Sequence, residues 1–502
     1  MFKKKLLIIC FLALIADIKL FAQKDSSKIE FDASIRERFE LWDGMNAKNY
    51  GDNSPAAIGS LHDKTFYQRV IVGFVLHPTA SIDIAAHLQD SRAFGWSLRN
   101  AKYPDLFKVR ENNTEKPYYI RNPNEEFFEI HDLFFEYKKL FVKNLTVKAG
   151  RQKINFGDNR IFGPGQWGNT GNWTWDALKL KYVKNDNYIS AFIGGTIIHD
   201  PKKTSIPFTN TEFWGGGMYA HYNFSDIINV QPFYAYKTVG SADYINTLNF
   251  DRHWAGMRLF NPDFYSFEFD FTVAKEFGNE NGQPIDAFSY VVKTGYQFKS
   301  LFSKPKLSLH KSYASGGNTG NKVKTFDPAY GSRDSYYGRM NIVKWSNIDD
   351  YEILLDMFPV KNMKIEMNYH WFYVPVPDDI TLLGTMKLQT GKHHLGNEFD
   401  IFASYQVLKQ LQIVTVFGYF MPGDIQPINN HDAKNATWFS FQLLYKLNNQ
   451  IWETKKHETL TIYKNNSRFS SELKGCSPLQ LSCKLTSKCY AVGYYSYTNR
   501  YT

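Results

Sequence analysis

Apolar and polar residues alternate along short segments of the chain. Between residues 29 and 41, Phe31 and Ile35 fall in one phase, whereas Arg36 falls in the other. Because successive side chains of a β-strand point to opposite faces, this alternation predicts a strand with one apolar and one charged face. Glu37 interrupts the apolar phase.

The alternation predicts eighteen strands, most of them about ten residues long, which is the length that a tilted strand needs to cross a bilayer. These strands lie near residues 29–41, 65–77, 81–92, 128–139, 145–154, 175–184, 188–197, 214–224, 229–238, 250–260, 264–275, 286–299, 305–314, 349–358, 362–373, 395–407, 411–421 and 436–447. Residues 334–345 are interpreted as part of a loop rather than as a further strand.

Connection lengths distinguish a soluble β-sandwich from a membrane barrel. Long polar connections such as 93–127 and 315–348 mostly alternate with short ones such as 185–187 and 262–263. Short periplasmic turns and long outer loops are typical of an up-and-down barrel. We therefore expect an all-β fold, a transmembrane antiparallel up-and-down β-barrel of about eighteen strands, in a bacterial outer membrane.

The N-terminus has the parts of a secretory signal peptide. Lys3 and its two lysine neighbours form the charged start, residues 6–16 form the apolar run, and Ala22 offers a cleavage point. A membrane anchor is the alternative, but it needs a longer apolar run. We expect residues 1–22 to be removed and residues 23–450 to form the barrel.

The C-terminal tail, residues 451–502, is basic and serine-rich and lacks the alternation. It is either a periplasmic extension or the product of a frameshift in the source gene. Three of the four cysteines lie in this tail, and none lies between residues 23 and 475. A long exported chain without cysteine avoids mispairing in an oxidising periplasm.

Aromatic residues make up 17% of the chain, whereas the apolar share is an ordinary 43%. This excess fits rings that lie at the two interfaces of a bilayer. The strand-end rings are expected in such belts rather than as platforms for sugars. They are Tyr182, Tyr222, Tyr369, Trp371, Trp438 and Tyr445.

The net charge of +10 comes mainly from the two ends of the chain. Residues 1–22 carry +3 and residues 451–502 carry +5, which leaves +2 for the predicted barrel. A nearly neutral barrel has no basic stripe for nucleic acid, so nucleic acid is not an expected partner.

The polar phase of a barrel this wide faces an aqueous lumen. The charged residues predicted to line it are Arg36, Arg38, Arg69, Lys148, Lys179, Lys181 and Arg258, with Glu40, Asp83, Glu136, Glu268 and Asp400. Mixed charge in a confined pore binds charged solutes briefly without trapping them. Alternatively, these charges pair with one another and only solvate the lumen.

Residues 150–182 read GRQKINFGDNRIFGPGQWGNTGNWTWDALKLKY. This stretch resembles the alginate export family of outer-membrane porins in its Gly-Arg-Gln, Gly-Asp-x-Arg and Gly-x-x-x-Trp motifs. The matching residues are Gly150, Arg151, Gln152, Gly157, Asp158, Arg160, Gly163, Trp167, Asp176 and Leu180, and the chain departs from the pattern at Trp175, Ala177 and Lys179. Further matches are Tyr313–Gly316, Thr325–Pro328, Tyr336–Gly338, Leu395–Asp400 and Gly418–Gly423.

The resemblance implies an eighteen-stranded barrel whose lumen, lined by Arg and Lys, passes an anionic polyuronate out of the cell. It also implies gating by loops and a periplasmic turn, and hence export proteins in the periplasm as partners beside the polysaccharide and outer-membrane lipid.

Two features of residues 150–182 leave alternatives open. Asp158, Arg160 and Asp176 either meet a charged chain in the lumen or form a network that holds the loop in place. Arg151 falls in the lipid-facing phase of its strand, together with Leu145. Either the strand leaves the bilayer there, or a β-bulge turns Arg151 inward; we expect the bulge.

Three functions fit the sequence. The first is an export channel for an anionic polysaccharide, the second a general or uptake porin for small charged solutes, and the third a barrel enzyme or adhesin. The chain has no phosphate-binding loop and no zinc-protease or serine-hydrolase motif. We therefore expect no catalytic residues, no metal and no cofactor.

Overall fold

The computed structural model describes most of the chain between residues 27 and 453. The described ranges are 27–44, 62–97, 108–111, 119–120, 122–165, 167–171, 173–209, 211–240, 242–244, 249–264, 266–317, 320–332, 336–378, 387–426 and 433–453. The predicted signal peptide lies outside them, as does the predicted tail from residue 454 onward. Residues 451–453, predicted as the start of the tail, instead belong to the last strand of the barrel. No helix among these residues is long and apolar enough to cross a membrane.

Twenty-one strands form in the described residues. In chain order they are β1 (Lys28–Asp43), β2 (Asp63–Thr79), β3 (Ile82–Phe94), β4 (Lys108–Glu111), β5 (Tyr119–Ile120), β6 (Glu126–Lys138), β7 (Leu145–Lys153), β8 (Thr174–Lys184), β9 (Asn187–Thr196), β10 (Phe213–Asn223), β11 (Asn229–Val239), β12 (Ala242–Tyr244), β13 (Phe250–Phe264), β14 (Phe267–Glu280), β15 (Gln283–Gln297), β16 (Lys306–Ala314), β17 (Ile348–Met357), β18 (Met363–Tyr373), β19 (His394–Gln406), β20 (Leu411–Pro422) and β21 (Ala436–Glu453). Strands β4, β5 and β12 form a small separate sheet, and the other eighteen form one sheet.

The eighteen-stranded sheet is closed and antiparallel throughout. Each strand pairs with the strand of this sheet that follows it along the chain, so that β3 pairs with β6 and β11 with β13. The last strand, β21, pairs with β1 from Thr437 opposite Asp43 to Glu453 opposite Lys28. The predicted up-and-down barrel of eighteen strands is therefore confirmed. Residues 336–345, the described part of the predicted loop, contain no strand.

The two ends of the barrel differ in the length of their connections. One end has turns such as residues 80–81 and 185–186, and the other has long connections such as 154–173 and 315–347. The short-turn end is the periplasmic one in barrels of this type. Residues 262–263, predicted as a turn, instead belong to β13, which continues to Phe264 past a register shift near Asn261.

Exposure follows the alternation of the sequence. In β8, Leu178 and Leu180 are 46% and 41% exposed, whereas Lys179 and Lys181 between them are half-buried. The exposed phase faces lipid and the other phase faces the lumen. Glu37, which interrupts the apolar phase of β1, accepts a 2.8 Å hydrogen bond from Nε2 of Gln68, opposite it on β2.

The assignment of faces predicts the effect of a charge in β8. Leu180→Lys should lower the free energy of unfolding in lipid vesicles by about 2–4 kcal/mol, because it places an ammonium group against acyl chains. Lys179→Arg is the matched control, since its charge stays in the lumen. Equal unfolding midpoints in denaturant for both variants would contradict the assigned faces.

Candidate functional site: the barrel lumen

Two connections at the long-loop end fold back inside the barrel. Segment 167–171, in the β7–β8 connection, lies on the inner wall at β1, β2 and β3. In the β16–β17 connection, residues 326–332 and 336–340 reach inward-facing residues of β11, β13, β14 and β19. These described residues are called segment 326–340. The lumen is therefore bounded by loop backbone as well as by the wall.

Three of the predicted lumen arginines hold segment 167–171. Nη2 of Arg36 donates to the carbonyl of Gly168 at 2.9 Å, and Nη1 of Arg69 donates to the same oxygen at 3.4 Å. Nη1 of Arg38 donates to the carbonyl of Trp167 at 2.5 Å. Arg38 also pairs with Glu40 at 2.8 Å. These guanidinium groups therefore donate charge-assisted hydrogen bonds to half-buried loop carbonyls.

Asn169 fixes the same segment from the loop side. Its Nδ2 lies 3.2 Å from the carbonyl oxygen of Gln68, 3.0 Å from that of Arg92 and 2.8 Å from that of Asn124. Its own carbonyl accepts a 2.9 Å bond from Oγ of Ser91. One buried side chain therefore joins the loop to three other parts of the chain.

Asp327 anchors the second inward segment. Its carboxylate pairs with Nζ of Lys237 at 2.8 Å, its carbonyl accepts Nε1 of Trp254 at 2.7 Å, and its N–H donates to Glu276 at 2.8 Å. Burial alone would raise the pKa of Asp327, but Lys237 and Arg252 outweigh burial and lower it to about 2. This anchor therefore stays charged at physiological pH.

The far part of segment 326–340 is held by carboxylates of β19. The backbone N–H of Met340 donates to Glu398 at 2.8 Å, and that of Arg339 donates to Asp400 at 2.9 Å. Gly338 has a φ of +76°, and a Cβ there would lie 2.4 Å from the Glu398 carboxylate. Glycine is therefore favoured here by the backbone conformation, and a larger residue would displace the Glu398 carboxylate.

The two inward connections also bind each other. Arg160 pairs with Asp158 at 3.0 Å and donates to the hydroxyl of Tyr337 at 2.8 Å. The N–H of Gly163 donates to the carbonyl of Tyr330 at 2.9 Å. Asp158 and Arg160 thus belong to a network that holds the loops together, which favours the structural alternative for these two residues.

Most of the remaining wall charges are paired as well. Arg258 binds Asp270 at 2.5 Å, and Glu268 binds Lys293 at 2.8 Å and Lys306 at 2.7 Å. Asp83 binds Lys138 at 2.6 Å. Much of the mixed charge predicted for the lumen therefore pairs within the wall.

Lys148, Lys179 and Lys181 are the exception. Lys148 and Lys179 are directly opposite each other on β7 and β8, and Lys181 follows on the same inward phase. Glu136, 3.7 Å from Lys148, is the one carboxylate within 4.0 Å of any of the three among the described residues. We call these three residues the lysine patch.

Arg151 and Asp176 are not on the lumen side. The β7–β8 register runs without a shift from Leu145 to Lys153, so the predicted bulge that would turn Arg151 inward is wrong. Arg151 is opposite Asp176 and forms an ion pair with it at 2.8 Å. Both residues are in the same phase as Leu178, whose side chain is exposed on the outer face. The β9–β10 connection, rather than a bulge, shields both residues from lipid.

One predicted belt residue is also placed differently. Trp438 is 2% exposed on the inward phase of β21, where it stacks on Trp42 with ring centroids 5.0 Å apart. Asp327 and Glu398 lie in segments that resemble the alginate export family, but the sequence alone does not predict that they hold loops. Their place within those segments was the available signal.

Comparison with known proteins agrees with this architecture. The family model for alginate export matches residues 28–439. The chain belongs to the alginate export family. Family and fold are those of channels in the bacterial outer membrane. No curated protein matches the sequence.

Solved structures share the fold at low sequence identity. OccAB2 of Acinetobacter baumannii has a TM-score of 0.54 at 12% identity, with 85% of this chain and 98% of that chain covered. The outer membrane protein OprD of Pseudomonas aeruginosa has a TM-score of 0.52 at 11% identity, covering 85% and 94%. OccK11 (OpdR) of Pseudomonas aeruginosa has a TM-score of 0.52 at 9% identity, covering 85% and 99%. At these identities the likeness concerns the fold alone.

The contacts of Asn169 lead to a prediction about gating. Asn169→Ala should weaken the hold on segment 167–171 by about 1–3 kcal/mol, because buried hydrogen bonds are lost. We expect more frequent current fluctuations in single-channel recordings in planar bilayers. Asn223→Ala, at the periplasmic end of β10, is the control. Recordings that match the wild type would show that Asn169 does not hold the segment.

Proposed function

We propose that this family member passes an anionic, alginate-like polysaccharide through a lumen lined by Arg, Lys, Asp and Glu. The lysine patch is the observation that carries the proposal. Lys148, Lys179 and Lys181 are on the inward phase, and Glu136 is the one carboxylate within 4.0 Å of any of them among the described residues. The patch therefore offers two excess positive charges to a carboxylated polymer.

The register at the patch strengthens this argument. Like charges directly opposite each other on neighbouring strands destabilise a sheet, and Lys148 and Lys179 are so placed. A lumen residue that only needed to be polar could be uncharged. Excess positive charge in a confined pore attracts anions and remains compatible with their release.

A general or uptake porin for small charged solutes is the second candidate. Segments 167–171 and 326–340 occupy part of the lumen, and a narrower passage favours small solutes over a polymer. The lysine patch would serve either function. The two candidates therefore differ in the size of the anion that passes through the channel.

Block of ionic current tests the proposed function directly. Alginate oligomers added on the periplasmic side of wild-type channels should interrupt the current, and a neutral glucan of the same length should not. Block by small uronic acids alone would favour the second candidate. Equal effects of alginate and neutral glucan would contradict passage of an anionic polysaccharide.

The lysine patch should set ion selectivity. Lys179→Gln with Lys181→Gln should lower the permeability ratio of chloride to potassium about twofold or more, because the local positive potential falls. Lys293→Gln is the matched control, since Lys293 also faces the lumen but pairs with Glu268 at 2.8 Å. Reversal potentials in a salt gradient give the ratio. A larger shift in the control than in the double variant would refute this role of the patch.

A further inference from the structure

Part of the β9–β10 connection, residues 204–209 and 211, folds over the outer face of the barrel. Oγ1 of Thr204 donates to the carbonyl of Phe128 at 3.2 Å, and the N–H of Phe208 donates to Asp176 at 2.9 Å. A Cβ on Gly195 would meet the Thr211 side chain at 2.2 Å. The connection therefore packs closely on the lipid-facing phase of β6, β8 and β9.

An ion cluster fixes this connection in place. Arg151, 0% exposed, binds Glu129 at 2.7 Å, Asp176 at 2.8 Å and the carbonyl of Ser205 at 2.8 Å. The N–H of Ser205 donates to Glu129 at 2.9 Å. These buried charges are compensated by one another and by the β9–β10 connection. The outer surface of the connection is therefore already formed before any ligand binds.

The exposed surface of this connection is apolar near the strands. Ile206 is 65% exposed and Phe208 is 51% exposed, and Phe128 beside them is 65% exposed. Ile193, on the lipid-facing phase of β9, is 64% exposed two residues before Gly195. The apolar surface is therefore continuous with the band that faces acyl chains.

Basic residues border this apolar surface. Lys202 and Lys203 are exposed at a turn in which the N–H of Lys203 donates to the carbonyl of Asp200 at 3.2 Å. Arg92, on the neighbouring β3, lies over the ring of Phe127, 4.0 Å from its centroid, but Asp90 compensates its charge at 2.6 Å. The long-loop end, where these residues lie, is the extracellular end.

We propose that residues 202–208 of the β9–β10 connection form a binding site for a phosphorylated glycolipid of the outer leaflet. Ile206 and Phe208 contact its acyl chains, and Lys202 and Lys203 bind its phosphate groups. Apolar side chains next to lysines at the level of lipid headgroups are typical of surfaces that bind anionic lipids. The occupant follows from the charge and from the continuity with the lipid-facing band.

Native mass spectrometry of the full barrel in detergent, with added bisphosphorylated lipid A, tests this site. The wild type should retain lipid A in preference to phosphatidylethanolamine. Lys202→Gln with Lys203→Gln should weaken lipid A binding about tenfold, because each lysine contributes attraction to the anionic headgroup. Ile206→Ser with Phe208→Ser should weaken the binding of both lipids, because acyl contacts are lost.

The matched control removes two exposed lysines from the periplasmic end, as Lys304→Gln with Lys361→Gln. It should bind lipid A as the wild type does. The site is overturned if the Lys202 and Lys203 variant keeps wild-type affinity, if the periplasmic control loses as much, or if the wild type does not prefer lipid A. Heat-modified migration in gels confirms that each variant is folded.

Discussion

The hydrogen-bonded seam between β1 and β21 is the constraint on which the rest of the structure depends. A bilayer offers no water to an unpaired strand edge, so a sheet that crosses it must close on itself. The seam joins residues between 394 and 425 positions apart, from Asp43 opposite Thr437 to Lys28 opposite Glu453. Once closed, the sheet fixes which phase of each strand faces lipid and which faces water.

The strands could be predicted from the sequence because period-two alternation is a local property. All eighteen predicted segments correspond to barrel strands, and only ends such as that of β13 differ by a few residues. Whether a charged residue lies on the lumen side or on the lipid side could be predicted less reliably, as Arg151 illustrates. Its surroundings depend on Ser205, which is 54 positions away and contacts it only after the β9–β10 connection folds over the wall.

The inward loops could not be derived from periodicity, because they are held by contacts between distant residues. Arg160 reaches Tyr337, 177 positions away, and Asp327 reaches Lys237, 90 positions away. The short segments that resemble the alginate export family contain several of the residues that hold the loops. They are Arg160, Asp327, Tyr337, Gly338 and Glu398. Scattered motifs in a barrel of this kind are therefore explained in part by how loops attach to the inner wall.

Pairing within the wall divides the lumen charges into two sets. Arg36, Arg38 and Asp400 bind loop backbone, so replacing them would move a loop as well as change the charge. The lysine patch binds no loop through any hydrogen bond described in the structure. We propose that its positive charge is available to solutes, although the opposed Lys148 and Lys179 repel each other. Selectivity in such a channel is better sought in charges without structural partners than in the total count of basic residues.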